Sequence, residues 1–306
     1  MADITAARIN NLQSSIALIL GTGAGQNGYG QSVTSAPVSN ADVVEAADMN
    51  AIYADILAAR VHQVGVGDIG IAQVVQNLNT VAEATSSFVN NLGVTTSDPD
   101  GLKKGIIDFE TLMSQVQIDK AVLHPSQAAL EPGILSARTS NWNGLLFHEV
   151  TVTFASEDAR RFFFNTGSEL RISASNTSAS TPKGLDWNQL CSQAGTIKFS
   201  AESTVSSTGG GTQVGNYDLT SAYQNIYQKI GSGTYSAVYA GNIYTVKARS
   251  DIPTRIIFRI EFNDVVFDNN IDNNVDGRLE STLQHYRANG DVTIVAPTYY
   301  NTASLA

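Results

Sequence analysis

The residues best suited to holding a ligand lie in one short acidic segment. Asp272, Asn274, Asp276 and Gly277 match the first, third, fifth and sixth positions of a calcium loop. In such loops side-chain oxygens suit a hard cation, and the glycine permits a sharp turn. The twelfth position is Leu283 instead of the bidentate glutamate that such loops need, and strand-like sequence flanks the segment. The segment therefore predicts either a structural cation such as Ca²⁺ on Asp272, Asn274 and Asp276, or a polar hairpin loop.

Three further motifs favour structural roles. Gly23–Gly28 matches a dinucleotide fingerprint, but a predicted helix precedes it where a strand is needed, so we interpret it as a linker. The adjacent carboxylates Glu157 and Asp158 are typical of a solvated turn or a helix cap, because neighbours in a turn rarely converge on one substrate. Cys191 is the only cysteine and follows Trp187 in a predicted short helix, which indicates a buried structural thiol. No catalytic residue is assigned, and we expect a protein that is not an enzyme.

Six tyrosines are concentrated between residues 217 and 244. Tyrosines can form a contact face for carbohydrate or protein, or they can occupy half-buried strand positions. The spacing favours the second interpretation, and the first keeps a host-surface glycan open as a partner. The six residues are Tyr217, Tyr223, Tyr227, Tyr235, Tyr239 and Tyr244.

The composition restricts the classes of partner. The 306 residues carry a formal charge of −10, and only 15% of them are Asp, Glu, Lys or Arg. Because phosphate binding needs clustered Lys and Arg, the lack of a basic run argues against nucleic acid and anionic membranes. No segment approaches the about 20 apolar residues that a membrane helix needs, and the N-terminus lacks the pattern of a secretory signal. We therefore expect synthesis in the cytosol and no cofactor beyond the cation considered above.

The chain changes character near residue 138. Only four aromatic residues precede this point, and the other twenty follow it. Before it, apolar residues recur every three or four positions, which predicts amphipathic helices joined by a glycine-rich linker at 21–38. Such helices pack with each other or with a neighbouring subunit, and an internal helical core is favoured. The predicted helices contain Ile9–Ile19, open at Ser39–Asp42, contain Ile71–Leu92 and start at Asp98–Pro99.

From residue 139 onward, apolar and polar residues alternate, and loops rich in Ser, Thr, Gly and Asn separate the candidate strands. This pattern is typical of an antiparallel β-sandwich. The sequence thus predicts an α+β protein with a helical assembly and docking region at 1–138 and a β-sandwich domain at 139–306. The candidate strands are Glu149–Phe154, Ser168–Ser175, Thr196–Ser200, Ile243–Ala248, Arg255–Phe262, Leu279–Tyr286 and Asp291–Ala296.

Short segments in a constant order across most of residues 40–300 carry a family resemblance. They are Ala47–Gly65, Ala159–Ser173, Trp187–Leu190 with Gly195–Phe199, Tyr217–Tyr227, and Ile257–Asp264 with Asp276–Gly277 and Ala296–Tyr299. Together they resemble the virion structural proteins of tailed bacteriophages, prominently the myovirus-like phages of cyanobacteria.

The resemblance implies a component of the virion, of the kind labelled tail, tail-fibre or neck-associated protein. It implies no catalytic residues, since none is established for the family. The implied partners are further copies of the chain in a homo-oligomer and neighbouring tail, neck or baseplate proteins. The residues leave two other classes open: a host-surface or carbohydrate-binding module, and a depolymerase, which would need two carboxylates converging in a groove.

Overall fold

The computed structural model describes residues 5–22, 28–40, 42, 44–65, 106–124, 129–266, 274–290 and 292–305. The fold is mixed α+β, with N-terminal helices followed by two antiparallel sheets, as the sequence predicts. The chain forms two compact units. The helical unit comprises the described residues within 1–128, 161–167 and 288–294, and the two-sheet unit comprises those within 129–160, 168–287 and 295–306. Over the described residues, none of the helices is long and apolar enough to cross a membrane.

The helical unit contains α1 (Ala6–Leu20), α2 (Ala46–Val64) and α3 (Ile106–Ile118). Helix α2 starts later than the Ser39–Asp42 pattern predicts, because the Asp42 carboxylate accepts the N–H of Ser39 in a separate turn. The Asp48 carboxylate accepts the N–H of Glu45 at 2.8 Å and so caps the true start. The predicted helix at Ile71–Leu92 and the predicted helix start at Asp98–Pro99 lie outside the described residues.

The apolar stripes of the three described helices form the core of the helical unit, so the favoured internal helical core is confirmed for these residues. Across the helix interface, the ring of Tyr53 stacks on that of Phe109 with centroids 5.4 Å apart. Burying such side chains stabilises the unit by roughly 1.5–3 kcal/mol each. The buried residues are Ile9, Leu12, Ile16 and Ile19 of α1, Met49, Ile52 and Ile56 of α2, and Phe109, Leu112 and Val116 of α3.

Residues 28–40, which include most of the described part of the predicted linker at 21–38, form a packed strap. Tyr29 is fully buried, and its hydroxyl donates to the carbonyl oxygen of Lys120 at 2.6 Å. The carboxylate of Asp55 on α2 accepts the backbone N–H groups of Thr34 and Ser35. These contacts attach the strap to the helices, so this part of 21–38 is built into the helical unit.

The two-sheet unit has two antiparallel sheets that face each other. One sheet has the strand order β1-β10-β3-β4-β5-β6, and the other has the order β11-β2-β9-β8-β7. Helix α4 (Glu157–Asn165) connects β2 to β3, and α5 (Pro182–Ala194) connects β3 to β4. The strands are β1 (Ala129–Arg138), β2 (Gly144–Thr153), β3 (Glu169–Thr177), β4 (Ile197–Phe199), β5 (Thr204–Ser206), β6 (Gly211–Thr212), β7 (Gln224–Ile230), β8 (Ile243–Ile252), β9 (Arg255–Asp264), β10 (Arg278–Arg287) and β11 (Thr298–Ala303).

The ends of the predicted β region differ from the structure. Strand β1 starts at Ala129, ahead of the predicted boundary at residue 139, and its Pro132–Gly133 pair resembles a turn but lies in a register shift of the sheet. The predicted strand Asp291–Ala296 is wrong, since residues 293–297 have no strand and β11 begins after Pro297. The apolar alternation there comes from Val292 and Ile294, which are buried in a loop of the helical unit.

Aromatic residues fill the space between the two sheets. The ring of Phe199 on β4 meets that of Phe258 on β9 edge to face, with centroids 5.2 Å apart. Helix α5 adds Trp187 and Cys191, both buried, to the same unit. Because inward residues alternate with outward ones along β9, the opposite side of the five-stranded sheet is left for other side chains.

Candidate interaction face

The side chains of the predicted cation segment are used in contacts within the two-sheet unit. Asp272 lies outside the described residues. The Asn274 side-chain oxygen accepts the amide N–H of Asn143 at 3.2 Å. The Asp276 carboxylate accepts the N–H and O–H groups of Ser180 and Thr181, just before α5. The described residues hold no group of three or more His, Cys, Asp or Glu placed to bind a metal. Asp276 therefore fixes the residues just before α5, and we call its hydrogen bonds to Ser180 and Thr181 the Asp276 bracket.

Hydrogen bonding sets the charge state of this bracket. Burial alone would raise the pKa of Asp276, but the hydrogen bonds from Thr181 and Ser180 outweigh it and hold the pKa below its ordinary value. The carboxylate is thus ionised at neutral pH, close to the N-terminus of α5, where a negative charge is favourable.

The other motifs considered in the sequence analysis lie in surroundings that fit structural roles. Glu157 and Asp158 are exposed in the first turn of α4, which agrees with the solvated position predicted for them, and the Ser156 hydroxyl accepts the N–H of Ala159 at the start of this helix. Cys191 is buried, and burial raises the pKa of its thiol to about 12, which confirms the structural thiol. Of the dinucleotide-like motif only Gly28 is described, in a left-handed conformation at φ 106°.

A serine–histidine–asparagine arrangement, which the sequence analysis missed, lies inside the two-sheet unit. The Nδ1 atom of His148 is 2.9 Å from the Ser281 hydroxyl oxygen, and its Nε2 atom is 2.7 Å from the side-chain oxygen of Asn301. Ser281 and His148 are both fully buried between the sheets. The serine hydroxyl is closed off from a substrate, so these residues bridge the sheets. Because they are far apart in sequence, no local motif could reveal them.

The tyrosine-rich stretch divides between the interior and the surface. Tyr227 on β7 and Tyr244 on β8 are buried strand residues, whereas Tyr239 is buried in a short 3₁₀ helix, Ala237–Gly241. Tyr235 is exposed, and Tyr223 is half-buried on the outward side of the five-stranded sheet. Only part of the stretch can therefore contact a partner.

Tyr223 is the centre of a group that we call the Tyr223 cluster: Phe147, Glu149, Tyr223, Arg249 and Arg259. The Arg249 guanidinium carbon lies 5.0 Å from the centre of the Tyr223 ring, and that of Arg259 lies 4.8 Å from both this ring and the Phe147 ring. Each such cation–π contact is worth about 0.5–1 kcal/mol at an exposed site.

A shared carboxylate holds the Tyr223 cluster together. The Tyr223 hydroxyl donates to Glu149 Oε2 at 2.7 Å, and Arg259 Nε donates to the same oxygen at 2.9 Å. Burial and the Glu149 hydrogen bond raise the pKa of Tyr223, so its hydroxyl remains a donor. Direct pairing of Glu149 with Arg259 across β2 and β9 places the two side chains together on one side. The cluster is therefore ordered before any partner binds.

Exposed apolar side chains continue the same side of the sheet, which we call the outer face. Leu145 on β2 and Ile230 on β7 are each 55% exposed, and Tyr300 on β11 is 70% exposed. Ile243 pairs with Ile230, and Asn263 pairs with both Leu145 and Ile243, so one row across four strands is largely apolar. Aromatic and Arg side chains that are surrounded by exposed apolar residues are typical of protein interfaces.

The outer face is thus an ordered, partly apolar surface built from strands that are distant in sequence. Its aromatic and arginine side chains are of the types enriched at protein interfaces, whereas Asn274, Asp276 and His148 are hydrogen-bonded to other side chains of the two-sheet unit. Comparison with protein-family models, with curated proteins and with solved structures finds no match for this chain.

Proposed function

We propose that the protein is a non-enzymatic structural component of a tailed-bacteriophage virion that self-associates through the outer face. The observation that carries this proposal is the preordered Tyr223 cluster beside the exposed Leu145, Ile230 and Tyr300. The sequence resemblance supplies the virion context. Docking of the helical region to neighbouring tail, neck or baseplate proteins stays a prediction.

A second copy of the chain is the partner that the charges favour. The chain has a formal charge of −10, so most of its surface repels another copy. The outer face instead carries the cations Lys247, Arg249 and Arg259 beside the carboxylates Glu149 and Glu261, and ion pairs join Arg259 to Glu149 and Lys247 to Glu261. Two copies can therefore meet here without the repulsion expected elsewhere.

The proposal is tested by light scattering after size exclusion. We expect a discrete oligomer for the natural chain, and at least roughly tenfold weaker association for the double variant Leu145→Glu with Ile230→Glu, because charges would be buried in the apolar row. Both positions are more than half exposed, so the fold should tolerate the change.

Val205→Glu is the matched control, since Val205 is 49% exposed on β5 of the other sheet. Unchanged association in this variant is expected. A natural chain that remains monomeric would contradict self-association, and binding of the monomer to glycans would favour the host-surface module. Repeating the measurement with a chelator tests whether a cation on Asp272, Asn274 and Asp276 supports the oligomer.

A further inference from the structure

A lysine and an aspartate meet in the interior of the two-sheet unit. Lys183 is the second residue of α5, and Asp264 is the last residue of β9. The Lys183 Nζ atom lies 2.6 Å from Asp264 Oδ2, and both side chains are fully buried. Lys183 Nζ also donates to the carbonyl oxygen of Val266 at 3.0 Å. The pair joins two elements that are distant in sequence.

The surroundings of this pair are unfavourable for separated charges. One turn along α5, the ring of Trp187 packs against Trp142 and Phe262, with centroids 5.0 and 6.1 Å away. Taking two charges out of water costs several kcal/mol per ion, and good hydrogen-bond geometry is needed to offset this. Within the described part of the chain, neither Asp264 oxygen has a hydrogen bond of regular geometry, despite the short contact with Lys183.

Burial favours the neutral acid form of the Asp264 carboxyl. Burial raises the pKa of this carboxyl, and the nearby Lys183 and the N–H groups of Val266 and Gly144 only partly oppose the shift. Transfer of a proton from the ammonium to the carboxylate turns the ion pair into a neutral amine beside a neutral acid. These are the reactive forms for making an amide.

We propose that Lys183 and Asp264 condense to an intramolecular amide. The Nζ lone pair attacks Cγ of Asp264 and forms the N–C bond. The bond between Cγ and its hydroxyl oxygen then breaks, and the hydroxyl leaves with a proton from the nitrogen as one molecule of water. Nothing is oxidised or reduced, and no co-reactant is needed. The product replaces two buried charges with one neutral amide between α5 and β9.

Asp186 is the one carboxylic acid of α5, the helix that also carries Lys183. It lies three residues after Lys183, and residues three apart share a helix face. Its side chain is buried, and burial raises its pKa, so the acid form is favoured. One of its oxygens accepts the N–H of Tyr235 at 3.3 Å, and the other has no hydrogen-bond partner over the described residues. We assign to Asp186 the proton transfer to the departing hydroxyl.

Mass spectrometry of the folded full-length chain tests the proposal. We expect the chain to be lighter than its sequence by one water. We also expect trypsin to leave Lys183 uncut and to release a branched peptide in which residues 172–198 are joined to residues 260–278. Cleavage after Lys183 together with a linear 260–278 peptide would overturn the proposal.

Lys247 and Glu261 provide an internal control. Their Nζ and Oε1 atoms are 2.9 Å apart with hydrogen-bond geometry, and both side chains remain partly exposed. We expect this pair to stay unlinked. A loss of water that maps to Lys247 and Glu261, and not to Lys183 and Asp264, would show that an ion pair can form the amide without being buried. That result would contradict the argument from burial.

Four variants separate the amide from other losses of water. Lys183→Met and Asp264→Ala should keep the full mass, with circular dichroism to check their fold. Asp264→Asn should lose ammonia and reach the same branched product as the natural chain. Asp186→Asn should form the amide at least roughly 10²-fold more slowly. A loss of water that persists in Lys183→Met would overturn the amide, and an unchanged rate in Asp186→Asn would overturn the role of Asp186. None of these outcomes depends on the oligomeric state, so the amide and the proposed function can fail separately.

Discussion

Two histidines, His148 and His285, carry polar contacts across the interior of the two-sheet unit. Asn301 offers His148 only an oxygen, so the Nε2 of His148 carries the proton and the Ser281 hydroxyl donates to Nδ1. The Tyr299 hydroxyl is 2.6 Å from the Nδ1 of His285. Burial lowers the pKa of both histidines, although hydrogen bonds to Asn301 and a contact with Glu131 oppose the shift. Both rings are therefore neutral in the folded protein at pH 7.

We predict that acid lowers the free energy of unfolding, because unfolding lets His148 and His285 bind protons. Because their pKa is lower in the folded chain than the ordinary 6.5, the unfolded chain binds more protons below that pH. The free energy of unfolding should hold above pH 7 and decline as pH falls from about 6.5 toward 5, measured by urea unfolding.

His148→Gln isolates one of the two histidines. At pH 7.5 it should lower the free energy of unfolding by about 1–3 kcal/mol, because Ser281 and Asn301 lose buried partners. Between pH 7 and pH 5 its decline should be shallower than that of the natural chain. Equal slopes in the two proteins would contradict the assignment of the pH effect to His148.

Among the elements, α5 depends on a bracket from a distant segment. The Asp276 carboxylate accepts donors from Ser180 and Thr181, and the Thr181 hydroxyl in turn accepts the N–H of Gly184 at 3.1 Å. Asp276→Asn should lower the free energy of unfolding by about 1–3 kcal/mol at neutral pH, since charge-assisted hydrogen bonds are lost. Because the pKa of Asp276 is lowered, this difference should disappear as pH falls below the ordinary range for aspartate.

The Asp276→Asn variant also shows whether Asp276 serves as a hydrogen-bond acceptor for Ser180 and Thr181 or as a ligand of a cation. Measured with excess calcium and with chelator, the stability difference between Asp276→Asn and the natural chain should be the same. A natural chain that is stabilised by calcium, in a way that Asp276→Asn is not, would contradict the bracket and favour the cation on Asp272, Asn274 and Asp276.

Strand β1 depends on a glycine at its register shift. A side chain on Gly133 would place its Cβ 1.8 Å from the carbonyl oxygen of Leu283 on β10, so the strands would have to separate. Gly133→Ala should therefore destabilise the protein by more than the about 1 kcal/mol of an average substitution, measured by thermal unfolding. Leu135→Ala is the control on the same strand, since Leu135 is exposed and its loss should be near neutral. Equal effects of the two changes would argue against the close approach.

At the scale of the whole molecule, the helical unit is assembled from separated parts of the chain. Arg161 donates to the carbonyl oxygen of Thr22 at 2.8 Å, and the ring of Phe162 lies against Gly30, all within that unit. Deleting residues 1–38 removes α1 and residues 28–38 of the strap, and so exposes the apolar faces of α2 and α3. The core of the two-sheet unit contains none of the deleted residues.

We predict that the chain without residues 1–38 keeps its self-association, because Leu145, Ile230 and the Tyr223 cluster belong to the two-sheet unit. Light scattering measures this, and near-ultraviolet circular dichroism checks that the sheets are folded. A folded but monomeric deletion variant would place assembly in the helical region, as the sequence pattern alone suggests.

The sequence by itself determined the class of fold, the helix stripes of α1 and α2, most inner strands and the buried thiol of Cys191. These features follow from local periodicity, because residues that share a face recur at fixed spacing along one element. It could not place β1, where Pro132–Gly133 imitates a turn, nor the end of the chain, where Val292 and Ile294 are buried without a strand.

Only the tertiary structure decided which distant side chains meet. Strand register brings Glu149 to Arg259, and the packing of α5 brings Lys183 to Asp264 and Ser180 to Asp276. Each pair is separated by many residues, and a shift of one position would turn every side chain of a strand to the other face. Such pairings depend on how the whole set of elements packs, so the outer face and the buried lysine–aspartate pair have no signature in the local sequence.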